Sequence, residues 1–136
     1  MKKTLAILIV LLTAAMFLTG CMQQLPEGYN QKSVDARCAE IVGLINNLDY
    51  EGIDDLASSY YGETKTVPAV HVDEMYGIIK TLGALKGIDQ VVTDVMKDEA
   101  GGYYTISIVI ATHQNNWTRY MILLDSGLYL MQVEMV

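Results

Sequence analysis

The chain has 136 residues, with 9 basic and 16 acidic side chains and a formal net charge of −7. That length suits one small domain. An acidic chain without a basic cluster is unsuited to nucleic acid, and anionic headgroups repel it.

Met1-Lys2-Lys3-Thr4 is a short basic start, and Leu5 to Phe17 is almost unbroken apolar sequence. The small-residue zone Leu18-Thr19-Gly20 then precedes Cys21. A basic start, a short apolar core and a small-residue cleavage zone describe a secretory signal. The apolar run falls short of the ~20 residues that a membrane-spanning helix needs. Leu18-Thr19-Gly20-Cys21 resembles the lipobox of prokaryotic lipoproteins. The resemblance implies a diacylglycerol on the Cys21 thiol and cleavage between Gly20 and Cys21. It also implies a lipid anchor in the cell membrane, with the domain on the extracytoplasmic side. Residues 1–20 are then the signal peptide, and 21–32 are the lipidated cysteine and a tether. An ordinary cleaved signal and a retained membrane helix are the alternatives. Loss of Lys2 and Lys3 with the signal leaves a net charge of −9.

The domain proper is expected over 33–136. Ser33 is placed to cap a first helix running to about Asn47. Its face is Val34, Cys38, Ile41, Ile45 and Leu48, at spacings of four, three, four and three. On that face Cys38 reads as a small core hydrophobe, with a reactive or metal-binding thiol as the alternative. Asp49 can cap a second, shorter helix with Ile53, Leu56 and Ala57 inward. After a loop bracketed by Gly62 and Pro68, a third helix starts near Val70. Val72, Met75, Tyr76, Ile79 and Leu82 form its inner face, and Gly83 ends it. Four strands follow: 88–95, 103–112, 117–124 and 128–135, joined by short turns. The connections are too short for parallel crossovers, so the sheet is an antiparallel meander. Within the second strand, Tyr104, Ile106, Ile108 and Ile110 read as the core face. Tyr103, Thr105, Ser107, Val109, Ala111 and His113 read as the other.

Three helices ahead of a curved antiparallel sheet resemble the cystatin-like, cone-shaped α+β fold of the nuclear transport factor two-like superfamily. Ile45-Asn46-Asn47-Leu48-Asp49-Tyr50-Glu51-Gly52-Ile53 and Leu82-Gly83-Ala84-Leu85-Lys86 are similar to segments of an uncharacterised domain family within it. Leu85 stands where that family often has Phe. The resemblance implies three N-terminal helices packed on a curved four-stranded sheet, in exported lipoproteins sometimes fused to hydrolases. A chain ending after the fourth strand is expected to carry no hydrolase.

Chemistry-bearing groups are sparse. His71, Asp73 and Glu74 gather three metal-ligand types at a helix start, but no further ligand converges on them, and no metal or other cofactor is expected. His113 can act as a general base between Trp117 and Tyr103. Asp94 and Glu134 are the carboxylates best placed for a cavity acid of the ketosteroid isomerase kind. Adjacent pairs such as Tyr60-Tyr61 and Tyr103-Tyr104 force one ring of each pair outward from a strand. Outward Tyr and Met side chains either pack across strands or form a ligand pocket or a homodimer face. The expected function is therefore non-enzymatic binding or assembly, with a small ligand or a protein as partner. Asp94, Tyr103, His113, Trp117 and Glu134 are the candidate cavity residues. The alternative is a small isomerase-like or hydrolase-like enzyme.

Overall fold

The computed structural model describes residues 24–58 and 69–136, the side chains of 69–73 excepted. The signal segment, Gly20, Cys21, the Tyr60-Tyr61 pair and the Gly62–Pro68 loop lie outside the described residues. So do the side chains of His71 and Asp73.

The fold is α+β. Helix α1 spans Gln31–Asn46, α2 Tyr50–Asp55 and α3 Ala69–Leu82. Strands β1 (Leu85–Lys97), β2 (Tyr103–His113), β3 (Trp117–Asp125) and β4 (Leu130–Met135) form one antiparallel sheet in the order β1-β2-β3-β4. The expectation of three N-terminal helices needs correcting for α3, which occupies the middle of the chain. Helix α1 packs near β1, with α2 against it, while α3 packs along β4 at the opposite edge.

Helix α1 begins three residues earlier than its sequence indicates. Asn30 is the cap, accepting from Ser33 N at 3.1 Å, so Ser33 sits inside the first turn. The domain therefore reaches into the expected tether. Tyr29 packs on the core and meets Tyr103 edge-on at 6.2 Å. The inner stripe of α1 is Val34, Cys38, Ile41, Val42 and Ile45, all buried. Burial pushes the Cys38 thiol above its ordinary pKa, with Ser107 hydrogen bonding partly opposing, so the thiol stays protonated and packs as an apolar group. Asp49 caps α2, accepting from Gly52 N at 2.9 Å. Past α2 the chain bridges to β4: Ser58 N donates to Leu130 O at 2.8 Å and Leu130 N to Leu56 O at 2.6 Å.

Among the described side chains of α3, Met75, Ile79 and Leu82 are buried, whereas Tyr76 is 40% exposed and does not join the core; the side chain of Val72 lies outside the described residues. Gly83 closes the helix with φ +75°. Strand β1 then starts at Leu85, earlier than its β-branched stretch indicates, because Leu85 pairs with His113 and Gly87 with Thr112. Strand β4 starts later, at Leu130, because Leu128 adopts φ +65° and ends the β3–β4 turn.

The largest correction concerns β2. Its core face is Thr105, Ser107, Val109, Ala111 and His113, and the face of Tyr104, Ile106, Ile108 and Ile110 is only half-buried. The cause lies in the neighbouring strand. Tyr120, Ile122 and Leu124 of β3 all point inward and are fully buried. They pair with Val109, Ser107 and Thr105 respectively, and paired residues share a face. With those large side chains and the α1 stripe filling the interior, only small side chains fit on the inner face of β2.

A side chain at Gly83 would adopt a disfavoured left-handed φ and approach Gln114 Cβ to 3.0 Å. Gly83→Ala is expected to lower stability by about 1–2 kcal/mol. Thermal or urea unfolding monitored by circular dichroism reads the change, and a neutral result would contradict this account of the helix end.

Candidate functional site

The five cavity candidates do not converge. His113 is 2% exposed and lies in the interior at the end of β2. Asp94 is exposed and Glu134 half-exposed, and both lie on the outer face, where Asp94 pairs with Ile106 and Glu134 with Met121. Trp117 is 57% exposed at a corner of the sheet, its ring 6.0 Å from the Arg119 guanidinium. Tyr103 is half-buried at the opposite end, against Tyr29. The expected grouping of these residues around one cavity is therefore corrected. Alternation along the strands sends Asp94 and Glu134 away from the face that carries His113. Among the described residues, no three His, Cys, Asp or Glu side chains are grouped to hold a metal ion.

The interior does hold one polar cluster. Asn46, in the last turn of α1, donates through Nδ2 to Val42 O at 2.8 Å and to the Tyr120 hydroxyl at 3.1 Å. That leaves Asn46 Oδ1 as the acceptor facing His113 Nε2 at 2.9 Å, which assigns the imidazole proton to Nε2. The Tyr120 hydroxyl lies 3.4 Å from the same nitrogen. His113 Nδ1 is buried without a hydrogen-bond partner. Burial pushes the His113 imidazole below its ordinary value of 6.5, with the Ala111 backbone partly opposing. Burial also pushes the Tyr120 hydroxyl up, against the Asn46 hydrogen bond. Both groups are therefore neutral near pH 7, and their polar atoms tie α1 to β2 and β3. Asn46 and Tyr120 escaped the sequence reading. Asn46 resembles an ordinary helix-end residue, and Tyr120 an ordinary strand aromatic.

A cleft of about 890 Å³ opens at the end of the sheet, between the β1–β2 and β3–β4 turns. Tyr103, Tyr104, Tyr129 and Met131 line it, together with Asp98 and Asp125. The two aspartates are engaged in their own turns. Asp98 accepts from Ala100 N, and Asp125 Oδ1 accepts from Gly127 N and Tyr129 N at 2.9 and 3.0 Å. Asp125 Oδ2 also accepts from Ser58 at 2.5 Å.

Among the described residues, the largest unpartnered feature is the outer face of the sheet. All described helices pack on the other side. The register arranges this face in five transverse rows: Met96–Tyr104–Asp125, Asp94–Ile106–Leu123–Gln132, Val92–Ile108–Met121–Glu134, Gln90–Ile110–Arg119 and Gly87–Thr112–Trp117. Its centre is apolar, with Ile106, Ile108, Ile110, Met121 and Leu123 half-buried only by one another, and Val92 is 52% exposed. Its rim is mixed: Gln90, Asp94 and exposed Met96 on β1, Gln132 and Glu134 on β4, and on β3 Asp125 at one end and Arg119 beside exposed Trp117 at the other. An apolar centre with a mainly polar rim is the anatomy of an interaction surface.

No protein-family model matches the sequence, and no curated protein does. The chain is similar in structure to a protein from Ruminococcus gnavus ATCC 29149 solved by NMR. The TM-score is 0.71 at 17% identity, over 83% of this chain and 96% of that one. A likeness at that identity extends to the fold alone.

Neutral, buried His113 makes stability depend on pH. The unfolded chain takes up the His113 proton below about pH 6.5, while the folded chain resists it. The His113 contribution is thus complete above pH 6.5 and is lost as the pH falls toward the depressed folded value. Urea unfolding of wild type and His113→Gln between pH 8 and pH 5 checks the sign. The variant is expected to be less stable at pH 8, with the gap narrowing as the pH falls; a constant gap would contradict a buried, neutral ring.

Proposed function

We propose that this chain is a lipid-anchored extracytoplasmic module that binds or assembles without catalysis, using the face of its sheet that no described helix covers. The observation that carries the reading is the orientation of β2: three isoleucines of a central strand, with Met121 and Leu123 beside them, face away from every described helix. An apolar stripe on a central strand is usually covered. The lipobox-like Leu18-Thr19-Gly20-Cys21 supports the anchor. The order of elements and the packing of helices on one face support a cone-shaped, cystatin-like arrangement. A small ligand would find its place in the tyrosine-lined cleft, and a protein partner on the sheet face. The alternative, a small cavity enzyme, needs a buried carboxylate opposite a Tyr or His. Asp94 and Glu134 lie on the outer face instead, and His113 Nε2 is engaged by Asn46.

Two measurements test this. A photo-reactive amino acid at Ile108 of the full chain, in membranes, is expected to yield covalent adducts on illumination, while the same group at the helix position Glu40 yields none. Equal labelling at the two positions would sink the role of the face. For the anchor, the intact mass of membrane-extracted protein is expected to show a chain starting at Cys21 with added diacylglycerol. An unmodified thiol or another start would overturn it, and Cys21→Ser is expected to release or misprocess the chain.

A further inference from the structure

The geometry points to an organic cation of the quaternary ammonium class as the ligand of the tyrosine-lined cleft at the end of the sheet. The inference rests on the reading of this chain as a non-catalytic binding module and names the ligand of its cleft. Two properties of the lining lead to it. Tyr103, Tyr104, Tyr129 and Met131 supply aromatic and thioether surface. Asp98, Glu99 and Asp125 supply negative charge, against Lys97 alone. Among the described residues Lys97 makes no ion pair, so it answers none of the three carboxylates directly.

The aromatic and acidic groups are interleaved. Tyr104 pairs across the strands with Asp125. On the other side of Asp125, the Tyr129 ring lies over the β3–β4 turn, where Gly127 leaves room for it. A Cβ at Gly127 would meet two carbons of that ring at 3.1 and 3.2 Å and Asp125 Oδ1 at 3.3 Å. Ring and carboxylate thus border one corner of the cleft. A cation against a tyrosine face is attracted by the ring quadrupole, and a neighbouring carboxylate adds to that attraction.

The bonding of the aspartates selects among ligands. Asp125 Oδ1 already accepts from Gly127 N and Tyr129 N, and Oδ2 accepts from Ser58. Asp98 Oδ1 accepts from Ala100 N. These neutral donors hold the carboxylates in place without cancelling their charge. Asp125 in particular has little acceptor capacity left for a ligand's N–H or O–H groups. A hard metal ion needs several free oxygens, and a sugar needs directional partners. A quaternary ammonium needs neither, because it carries no N–H and responds to charge and polarizable surface. The volume of about 890 Å³ leaves room for the molecule that bears the group, and Leu123 carries the apolar lining onto the outer face. Gln24, Leu25 and Pro26 lie against Val95, Met96 and Lys97, so the N-terminal segment and the cleft share one end of the sheet. Free in solution or borne on a lipid headgroup, the cation offers the cleft the same chemistry.

The test uses the full lipidated chain in maltoside micelles, with choline as the probe. Methyl NMR of isotope-labelled methionines reads Met131 in the cleft against Met75 in the core. Choline is expected to move the Met131 line and leave Met75 in place, with weaker binding as salt rises. The neutral alcohol in which a tert-butyl group replaces the trimethylammonium is expected to bind about tenfold more weakly. Equal binding of the two would overturn the recognition of charge. Tyr129→Leu is expected to raise the choline dissociation constant about fivefold, and Tyr129→Phe to leave it within about twofold, since the ring holds the cation. Lys97→Gln is expected to lower it about twofold. Tyr129 and Lys97 are exposed, so unchanged circular dichroism is expected for these variants. If free choline moves Met131, the ligand is a soluble cation; if only phosphatidylcholine added to the micelles does so, it is a headgroup. If neither moves it while the photo-reactive group at Ile108 captures a partner, the cleft ligand is overturned and the binding face stands. If choline binds and Ile108 captures nothing, the cleft keeps its role and the sheet face loses its own.

Discussion

The register of β2 on β3 is the constraint on which the rest of this structure depends. Strand β3 commits Tyr120, Ile122 and Leu124 to the interior, and α1 fills the same space with Val34, Ile41 and Ile45. The paired positions of β2 are left with Val109, Ser107 and Thr105. Since side chains alternate along a strand, a shift of one residue would drive Ile106 and Ile108 into volume already occupied. The inward polarity of Ser107 is tolerable because its hydroxyl lies 2.8 Å from Thr93 Oγ1, and Thr93 in turn accepts from Gln31 at 3.2 Å. The small inner side chains of β2 and its large outer ones are two sides of one packing solution.

The same logic explains what the sequence disclosed. Helices α1 and α3 were legible because their apolar residues recur with helical period and their ends carry Asn, Asp or Gly. The strands were legible in number and order because turn residues separate β-branched runs. The facing of β2 was not legible within β2 itself, since neither of its faces carries a carboxylate or a lysine. The signal lay in the neighbours. Once the short turns fix the pairing, Asp94, Arg119 and Glu134 all fall on the isoleucine side. Charges on three strands mark that side as solvent-facing, whatever the hydropathy of the fourth. Hydropathy read one strand at a time misses this, because burial belongs to the sheet as a whole.

The interior cluster of Asn46, His113 and Tyr120 shows the complementary limit. The sequence alone offers two readings of His113, a general base or a partly exposed hairpin residue at a strand end. Here the last turn of α1 covers it, and a single amide bonds both the imidazole Nε2 and the phenol. Only the long-range approach of residue 46 to residues 113 and 120 creates that arrangement. Pairwise spacing in the sequence carries no trace of it. The cluster gives the helix–sheet interface a directional contact that apolar packing alone lacks, and so fixes how far α1 slides along the sheet.

The strand that organises the folded domain has a different character before folding. Tyr103 to Thr112 contains no charge, no proline and no glycine, and nearly every residue favours extended backbone. Such a window is prone to self-association through cross-β stacking when its backbone is unpaired. In the finished sheet β2 is an interior strand, with β1 and β3 on its two sides, so its backbone offers no free edge. The acidic turn Asp98-Glu99 just ahead of it acts as a charged gatekeeper in the unfolded chain. The hazard is thereby confined to the interval between synthesis and the closing of the two hairpins, and hairpins with short turns are among the faster elements to form.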